Sequence, residues 1–335
     1  MALSRVFSFA DPSACQAVIR FADLALYPTT KGRFHADITL IGINRLWMQR
    51  FHVSLPQVNT VAVKPGRTSI GFLTEHHSSP FLHCGQEVLP GDIIVNRYDV
   101  VHQRSDANLH YGTMSLSRED LDAAAETIIG RELPKPPLQR ISRPDSAVML
   151  RLLKLHRSVA QLAHDTPDVL DIPEVGRALE NELIRVMVSC LAEGAAAEPT
   201  TGKHRHDTIV ARFEEFLEAN PDRPLYLTEI CAAIGVAERT LRASCEEHLG
   251  MGPIRYLALR RMHLVRRALL HSDPSQATVT EIVTDHGFWE LGRFSVAYRR
   301  LFGESPSYTL RRPPDQPEVH LDRPSSLAAT YLGAA

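Results

Sequence analysis

The sequence has few cysteines and no long apolar run. Its five cysteines stand at positions 15, 84, 190, 231 and 245, and no two of them form a CxxC pair. This spacing argues against a disulfide framework and against a zinc ribbon. The first residues lack a cationic segment followed by an apolar one, and no stretch approaches eighteen uninterrupted apolar residues. We therefore expect a cytoplasmic protein with reduced thiols and no contact with a membrane.

Extreme composition and strong net charge are also missing. The 335 residues carry 37 Lys+Arg against 39 Asp+Glu, and 44% are apolar, as in an ordinary globular protein of about two domains. The charge is uneven, because residues 239–312 hold 12 Lys+Arg against 7 Asp+Glu. A basic module on a near-neutral chain favours a polyanion partner, although a solvated helical surface would give the same excess.

Residues 33–115 have the pattern of strands. Six short runs alternate apolar and polar residues, with Pro-Gly turn signals at 65–66 and 90–91. From Ser117 the period becomes helical, and helices are predicted at 117–130, 145–165 and 171–194. Many short strands with no helical pattern between them indicate an antiparallel sandwich or a small barrel. We predict an α+β N-terminal domain, which is a cupin-like β-barrel with trailing helices, and an all-α C-terminal domain.

The C-terminal domain contains an internal repeat. Thr-Glu-Ile at 228–230 recurs at 280–282, and Gly235 matches Gly287. In each unit a short helix ends at the glycine, a few residues turn the chain, and a second helix begins. This is the pattern of a helix-turn-helix, in which the glycine permits the sharp turn.

The run between the two units predicts a connecting helix over 253–271. At 1.5 Å per residue it would be about 28 Å long. Successive major grooves on one face of DNA lie about 34 Å apart. A rigid spacer of this length could therefore place the second helix of each unit in one of two successive grooves.

Several residues of both units match a known pattern. They are Val-Ala-Glu-Arg-Thr-Leu-Arg at 236–242, Gly-Phe at 287–288, Phe294, Tyr-Arg-Arg at 298–300 and Phe-Gly-Glu-Ser-Pro at 302–306. With this spacing the domain resembles the double helix-turn-helix of the AraC/XylS family of bacterial transcription regulators. The first unit departs from the family at Ala237, Cys245 and Gly252, where Ser or Thr, Phe and Ser are usual. A missing helix cap costs about 1 kcal/mol, so these departures predict a weakened unit rather than a lost one.

The resemblance implies an organisation for the whole chain. Residues 1–193 would be the effector-binding and dimerisation domain, with the barrel at about 20–116 and helices at about 117–193. The polar segment 194–207 would be a linker, 208–312 the DNA-binding domain, and 313–335 a flexible tail. The implied partners are a promoter site in double-stranded DNA, a small-molecule effector, RNA polymerase and a second copy of the chain.

Base-contacting side chains are expected on the exposed face near the start of each second helix. In the first unit Leu241 and Cys245 should face inward, and in the second Phe294 and Tyr298 should do so. The predicted base-contacting residues are Arg239, Thr240, Arg242, Ala243, Leu291, Gly292, Arg293 and Val296; the resemblance supports those of the second unit. Phosphate contacts are predicted for Arg255, Arg260, Ser295, Arg299 and Arg300. Trp289, at the turn, is interpreted as a packing residue.

The rival interpretation is a cupin-type metal-dependent enzyme. The strand region contains His76, His77, His83, Cys84 and His102. A cupin centre needs two histidines one residue apart, whereas adjacent residues of a strand point to opposite faces. No GxSxG, P-loop or HExxH motif occurs either. We therefore predict no enzyme activity, no metal and no cofactor.

The preferred role of the N-terminal domain is effector sensing. Apolar walls and polar anchors inside the barrel are predicted from Arg45, Trp47, Phe72, Arg97 and His102. A second hypothesis is a regulator whose barrel only dimerises. The sequence thus predicts a sequence-specific DNA-binding regulator, most simply an effector-responsive activator.

Overall fold

The computed structural model describes residues 2–19, 22–75, 81–96, 100–133, 140–193, 195–196, 201–220, 225–312 and 318–323. The N-terminal region is mainly β. Its elements are β1 (Ala2–Phe9), α1 (Pro12–Ala17), β2 (Ala22–Pro28), β3 (Ala36–Ile43), β4 (Leu46–Val53), β5 (Gln57–Val63), β6 (Arg67–Leu73), β7 (Phe81–His83), β8 (Gln86–Val88), β9 (Ile93–Asn96), β10 (Val100–Ser105) and β11 (Leu109–Ser117). The six predicted strand runs are confirmed as β3, β4, β5, β6, β9 and β11.

Helices follow the strands. They are α2 (Arg118–Ile129), α3 (Ser146–Asp165) and α4 (Pro173–Glu193), with β12 (Arg140–Arg143), a 3-10 helix at Pro167–Asp171 and β13 (Ala195–Ala196) beside them. All three predicted helices are confirmed. Helix α2 begins where the Ser117 side chain accepts a hydrogen bond from the Asp120 amide, and ends at Gly130, whose φ is 65°.

The described strands form two antiparallel sheets, and within the described residues these sheets do not close into a barrel. One sheet has the order β13-β12-β9-β6-β11-β4-β3-β1-β14, where β14 is Glu318–Arg323, and the other has the order β2-β5-β10-β7-β8. The predicted cupin-like β-barrel is thus observed in an open form that consists of two sheets. The chain passes repeatedly from one sheet to the other, for example between β5 and β6, and no hydrogen-bonded pair of described strands joins the two sheets.

Helices α2, α3 and α4 cover the outer face of the nine-stranded sheet. Side chains of β3, β4, β6, β9 and β11 form one core with the apolar stripes of these helices, including Val159, Leu183 and Cys190. Leu150 of α3 is 61% exposed and lies outside this core. The trailing helices are thus held mainly by the sheet beneath them.

The C-terminal region is helical. It contains α5 (Thr201–Glu218), α6 (Leu227–Ile234), α7 (Glu238–Leu249), α8 (Pro253–His271), α9 (Val279–Asp285), α10 (Leu291–Phe302) and α11 (Pro306–Arg311). The predicted connecting helix is confirmed as α8 with the expected bounds. Two predicted irregular segments contain regular structure: α5 begins inside 194–207, and β14 lies inside 313–335 and pairs with β1. Long-range pairing of this kind leaves no local sequence pattern.

The five-stranded sheet lies between the nine-stranded sheet and the helical domain. Tyr27 of β2 and Val58 of β5 belong to the same buried cluster as Phe213 and Tyr256. The Nε2 atom of His263 on α8 lies 3.0 Å from the Pro28 carbonyl oxygen. The two domains therefore share a packed interface. Among the described residues, no helix combines the length and the apolar character that crossing a membrane requires.

Candidate DNA-binding surface and effector cavity

The first helix-turn-helix is formed by α6 and α7. Helix α6 ends at Gly235, whose φ of 68° lies in the left-handed region that glycine adopts without strain. Leu241 and Cys245, one turn apart on α7, are fully buried against the domain core. Their burial fixes the rotation of α7 about its axis, so that the opposite face of the helix points to solvent.

The predicted base-contacting residues of α7 lie on that opposite face. Arg239, Arg242 and Ala243 are exposed, and Thr240 is half-buried. The Arg242 guanidinium donates a hydrogen bond of 2.7 Å to Glu238, one turn earlier on the surface. Such exposed pairs contribute only about 0.3–0.5 kcal/mol, so DNA can replace the carboxylate as the partner of Arg242.

The second helix-turn-helix is formed by α9 and α10. Helix α9 starts at a capping box between Thr278 and Glu281. On α10, Phe294 and Tyr298 are buried, and the Tyr298 hydroxyl donates to Thr309 Oγ1 at 2.9 Å. As in the first unit, two buried side chains one turn apart set the outward face of the second helix.

That outward face of α10 presents the predicted residues. Gly292, Arg293 and Val296 are exposed, with Val296 71% accessible, and Leu291 is half-buried. A Cβ atom added to Gly292 would meet no atom within 4 Å. Packing among the described residues therefore does not require glycine at position 292.

The predicted phosphate contacts divide into two groups. Arg255, Ser295, Arg299 and Arg300 are exposed on the same domain. Arg260 is not, because its guanidinium donates to Glu214 of α5 at 3.2 Å, and the two side chains are 12% and 1% exposed. Five residues correspond to about 140° around a helix, which turns Arg260 away from the face that carries Arg255. This position does not suit the predicted contact of Arg260 with DNA phosphate.

Trp289 was interpreted as a packing residue, and this interpretation is wrong. Its side chain is 72% exposed at the turn before α10. The packing role belongs to its neighbour Phe288, whose ring lies 4.9 Å from the ring of Phe294 and 5.2 Å from the Arg261 guanidinium. Two adjacent aromatic residues in a turn point to different sides, and the sequence does not tell which one is buried.

A cavity of about 110 Å³ lies between the two sheets. Its walls come from both, with Leu24, Val61 and Trp47 among the apolar side chains. Among the described residues that line it, none carries a charge. Three buried side-chain oxygens of the lining have no hydrogen-bond partner within the described part of the chain: Gln57 Oε1, Asn59 Oδ1 and Asn96 Oδ1. The Tyr111 hydroxyl interacts with the side chain of Gln103. Buried polar atoms are nearly always hydrogen-bonded in proteins, so these three oxygens can accept hydrogen bonds from a molecule in the cavity.

The structure separates the predicted effector-binding residues. Trp47 lines the cavity between the sheets. Phe72 is packed in the core under the trailing helices, and Arg45 donates to Asp120 at 3.1 Å on the surface. His102 faces the helical domain, because its strand neighbour Gln103 takes the cavity side. Arg97, like His76 and His77, lies outside the described residues.

Comparisons with known proteins found relatives of the C-terminal domain and relatives of most of the chain. A family model described as a helix-turn-helix domain matches residues 230–312. The chain is 27% identical over 305 residues to a probable thc operon regulatory protein of Rhodococcus erythropolis, covering 88% of this chain and 86% of that protein. It is 35% identical over 99 residues to XylDLEGF operon transcriptional activator 2 of Pseudomonas putida, covering 30% of this chain and 63% of the relative. The C-terminal domain is therefore an AraC-type helix-turn-helix domain, and the relatives are regulators of the AraC/XylS family.

Among solved structures, the chain is similar to the AraC-like transcriptional activator CuxR. The TM-score is 0.39 at 14% identity, covering 78% of this chain and 94% of the other. The AraC-type helix-turn-helix domain and the regulators among the relatives make the chain a DNA-binding transcription regulator. Its departures from the family pattern are visible in the structure: Ala237 and Gly252 cap α7 and α8 without a side-chain hydrogen bond, while Cys245 still fills the core position.

Proposed function

We propose that this regulator reads a promoter site with α7 and α10 in two successive major grooves. The observation that carries the proposal is the exposure of both predicted base-contacting faces, each at one end of the connecting helix α8. Arg242 and Arg293 are the principal contacts, because an arginine can donate two hydrogen bonds to guanine. Arg255, Arg299 and Arg300 hold the DNA backbone.

The test is selection of bound DNA fragments by the full chain, followed by footprinting of the best site. We expect two protected segments about 10 base pairs apart. Arg242→Ala should weaken sequence preference in one segment only, and Arg293→Ala in the other. Protection of a single segment, or loss of both segments with either variant, would contradict the proposed arrangement.

We further propose that the cavity between the sheets binds the effector. Its size, close to that of a cavity which accommodates benzene, suits a molecule of about one ring. Because its described lining is uncharged, an ionised ligand would lose hydration without a counter-ion. The unpartnered oxygens of Gln57, Asn59 and Asn96 suit a ligand with hydroxyl or amide N–H groups. The effector class is therefore a small, uncharged, largely apolar molecule.

Strand β10 supplies a route from this cavity to DNA. Gln103 points into the cavity, while His102 and Arg104, on either side of it, face the helical domain. The His102 Nε2 atom lies 2.6 Å from Nδ1 of His248 in the last turn of α7. A ligand that moves β10 would thus change the position of α7, the first recognition helix. This requires that the ligand binds the two conformations, with β10 moved and not moved, with different affinity.

The two tryptophans of the chain allow a direct test of ligand binding. Trp289→Phe leaves Trp47 as the one tryptophan, and its fluorescence reports the cavity. We expect uncharged one-ring alcohols or amides to change this fluorescence, and carboxylates of the same skeleton to bind at least about tenfold more weakly. Asn59→Leu should lower affinity for the neutral ligand. Preference for the carboxylates would contradict the proposed ligand class.

The alternative without an effector predicts a different result. In that case no compound of a metabolite panel would raise the unfolding temperature, whereas a ligand at 100 times its Kd stabilises the folded state by about 2.7 kcal/mol. The unpartnered polar atoms of the cavity favour sensing. We also propose that the protein is a homodimer, that it acts in the cytoplasm and contacts RNA polymerase, and that it has no enzymatic activity.

A further inference from the structure

Three side chains with metal-binding atoms meet between the five-stranded sheet and the helical domain. They are Cys84 in the turn between β7 and β8, His102 on β10 and Asp207 on α5. Their ligand atoms all lie within 4.8 Å of one another. The residues are only 5%, 1% and 7% exposed. Two come from the N-terminal domain and one from the DNA-binding domain, so the group exists only where the domains touch.

A fourth side chain comes from the recognition helix of the first unit. His248, in the last turn of α7, is fully buried, and its Nδ1 lies 2.6 Å from His102 Nε2. The same Nε2 atom lies 3.8 Å from Asp207 Oδ1. His102 is thus the centre of the group, with the carboxylate and the second imidazole both directed at one ring nitrogen.

The backbone of the β7–β8 turn is shaped for this close approach. Cys84 has a φ of 48°, which is unusual for a residue with a side chain, and its amide donates to the His102 carbonyl oxygen at 2.9 Å. Gly85 follows with a φ of 73°, and a Cβ atom there would lie 2.7 Å from the His248 ring. Strained backbone of this kind persists where the surrounding structure holds it and is frequent at functional sites.

The chemistry of the four groups is selective. His102 and His248 are buried imidazoles, and a neutral imidazole nitrogen can donate an electron pair to a metal ion. One thiol, two imidazoles and one carboxylate suit Zn²⁺ and related transition-metal ions, whereas Mg²⁺ and Ca²⁺ require oxygen ligands.

We propose that Cys84, His102, Asp207 and His248 bind one divalent transition-metal ion of the Zn²⁺ type, which clamps the N-terminal sheet to α7. Ligand atoms of tetrahedral zinc lie about 3.3–3.6 Å apart. The two imidazole nitrogens, 2.6 Å apart in the free protein, would separate by up to about 1 Å as the hydrogen between them moves to another ring nitrogen. The Cys84 thiol would release its proton to solvent, and the ligand atoms of Cys84, His102 and Asp207 would draw closer than their present 4.8 Å limit. The inference does not depend on the cavity ligand. It also replaces the expectation of no metal, because neither domain alone supplies more than two of the ligands.

The experiment uses the full-length protein after removal of metals with a chelator. Titration with Co²⁺ should show one equivalent bound, with the intense visible absorption of four-coordinate cobalt and a thiolate-to-cobalt band in the near ultraviolet. Competition with Zn²⁺ should abolish both signals. Because loss of an outer-sphere partner already costs 10–100-fold in affinity, we expect Cys84→Ser and His248→Gln each to weaken Zn²⁺ binding at least about 100-fold. Excess Zn²⁺ should raise the unfolding temperature of the wild type by roughly 5 °C and that of the variants by much less.

Two control variants separate this site from other positions. Cys231→Ser removes a half-buried cysteine that is not part of the group, and His52→Gln removes a ligand from the surface group His35, Asp37 and His52. Both should bind Zn²⁺ like the wild type. A wild-type cobalt spectrum without the thiolate band, or Zn²⁺ affinity that is lost in His52→Gln and kept in Cys84→Ser, would overturn the proposal. The DNA footprint and the Trp47 signal are measured on the metal-free protein, so the proposed function is judged separately.

Discussion

Arg293→Ala should weaken binding to the selected DNA site by about 2- to 70-fold. In the free protein the guanidinium contacts Glu290 at 2.9 Å, with the two side chains 84% and 67% exposed. Breaking such a surface pair costs about 0.3–0.5 kcal/mol. A bidentate contact with guanine contributes about 1–3 kcal/mol of discrimination. The difference, about 0.5–2.5 kcal/mol, gives the stated range because 1.4 kcal/mol corresponds to a factor of ten.

The assay is fluorescence anisotropy with the selected duplex and a scrambled one, at salt concentrations of about 50–200 mM. Arg293→Ala should reduce the ratio of the two affinities. Arg299→Ala is the matched control, since loss of a phosphate contact weakens both duplexes and lowers the salt slope by about 1. Glu290→Gln should tighten binding to both duplexes, because it frees Arg293 and removes a negative charge near DNA. If Arg293→Ala weakens both duplexes equally and lowers the salt slope, Arg293 contacts phosphate and the base-contacting role is refuted.

Three further predictions concern buried charges. Arg260→Ala should lower the free energy of unfolding in urea titrations, because Arg260 pairs with the buried Glu214. The salt dependence of DNA binding should not change. A smaller salt slope at unchanged stability would show that Arg260 contacts DNA phosphate after all. Burial raises the pKa of Glu214 to about 7 from 4.5, so the folded state binds an extra proton between these values. The raised pKa of Glu214 contributes on the order of 3 kcal/mol to the free energy of unfolding, which is present below pH 4.5 and is lost as the pH rises through 7. Glu214→Gln should flatten the curve of unfolding free energy against pH in this range. An unchanged curve would show that another group titrates there. Arg266 is 11% exposed and forms ion pairs with Asp11 of the N-terminal domain and with Glu304. Arg266→Met should therefore lower the free energy of unfolding in urea by about 3–5 kcal/mol, whereas Arg267→Met on the exposed side of α8 should have little effect. Equal effects of the two variants would argue against the interdomain ion pair.

Local patterns were sufficient for the elements that carry DNA recognition. The bounds of α8, the glycine turns at Gly235 and Gly287 and the outward faces of α7 and α10 follow from helical period, capping and the repeat. Such features depend on residues three or four apart, so they can be recognised without knowledge of the rest of the fold. The strands of alternating character were predicted for the same reason.

Only the tertiary structure determined which side chains from distant parts of the chain lie next to each other. Arg255 and Arg260 look alike in the sequence, and only the position of α5 places one in solvent and the other beside Glu214. The sheets remain open, β14 joins β1, and the cavity lies where Trp47 and Gln103 from different sheets face each other.

The cluster of Cys84, His102, Asp207 and His248 shows the same limit most clearly. His102 and His248 are separated by 146 residues, and no spacing along the chain relates them. The sequence determined the helices and strands, because these arise from near neighbours. The fold alone determined the cavity and the interdomain cluster, because both depend on how the sheets and the helical domain pack against each other.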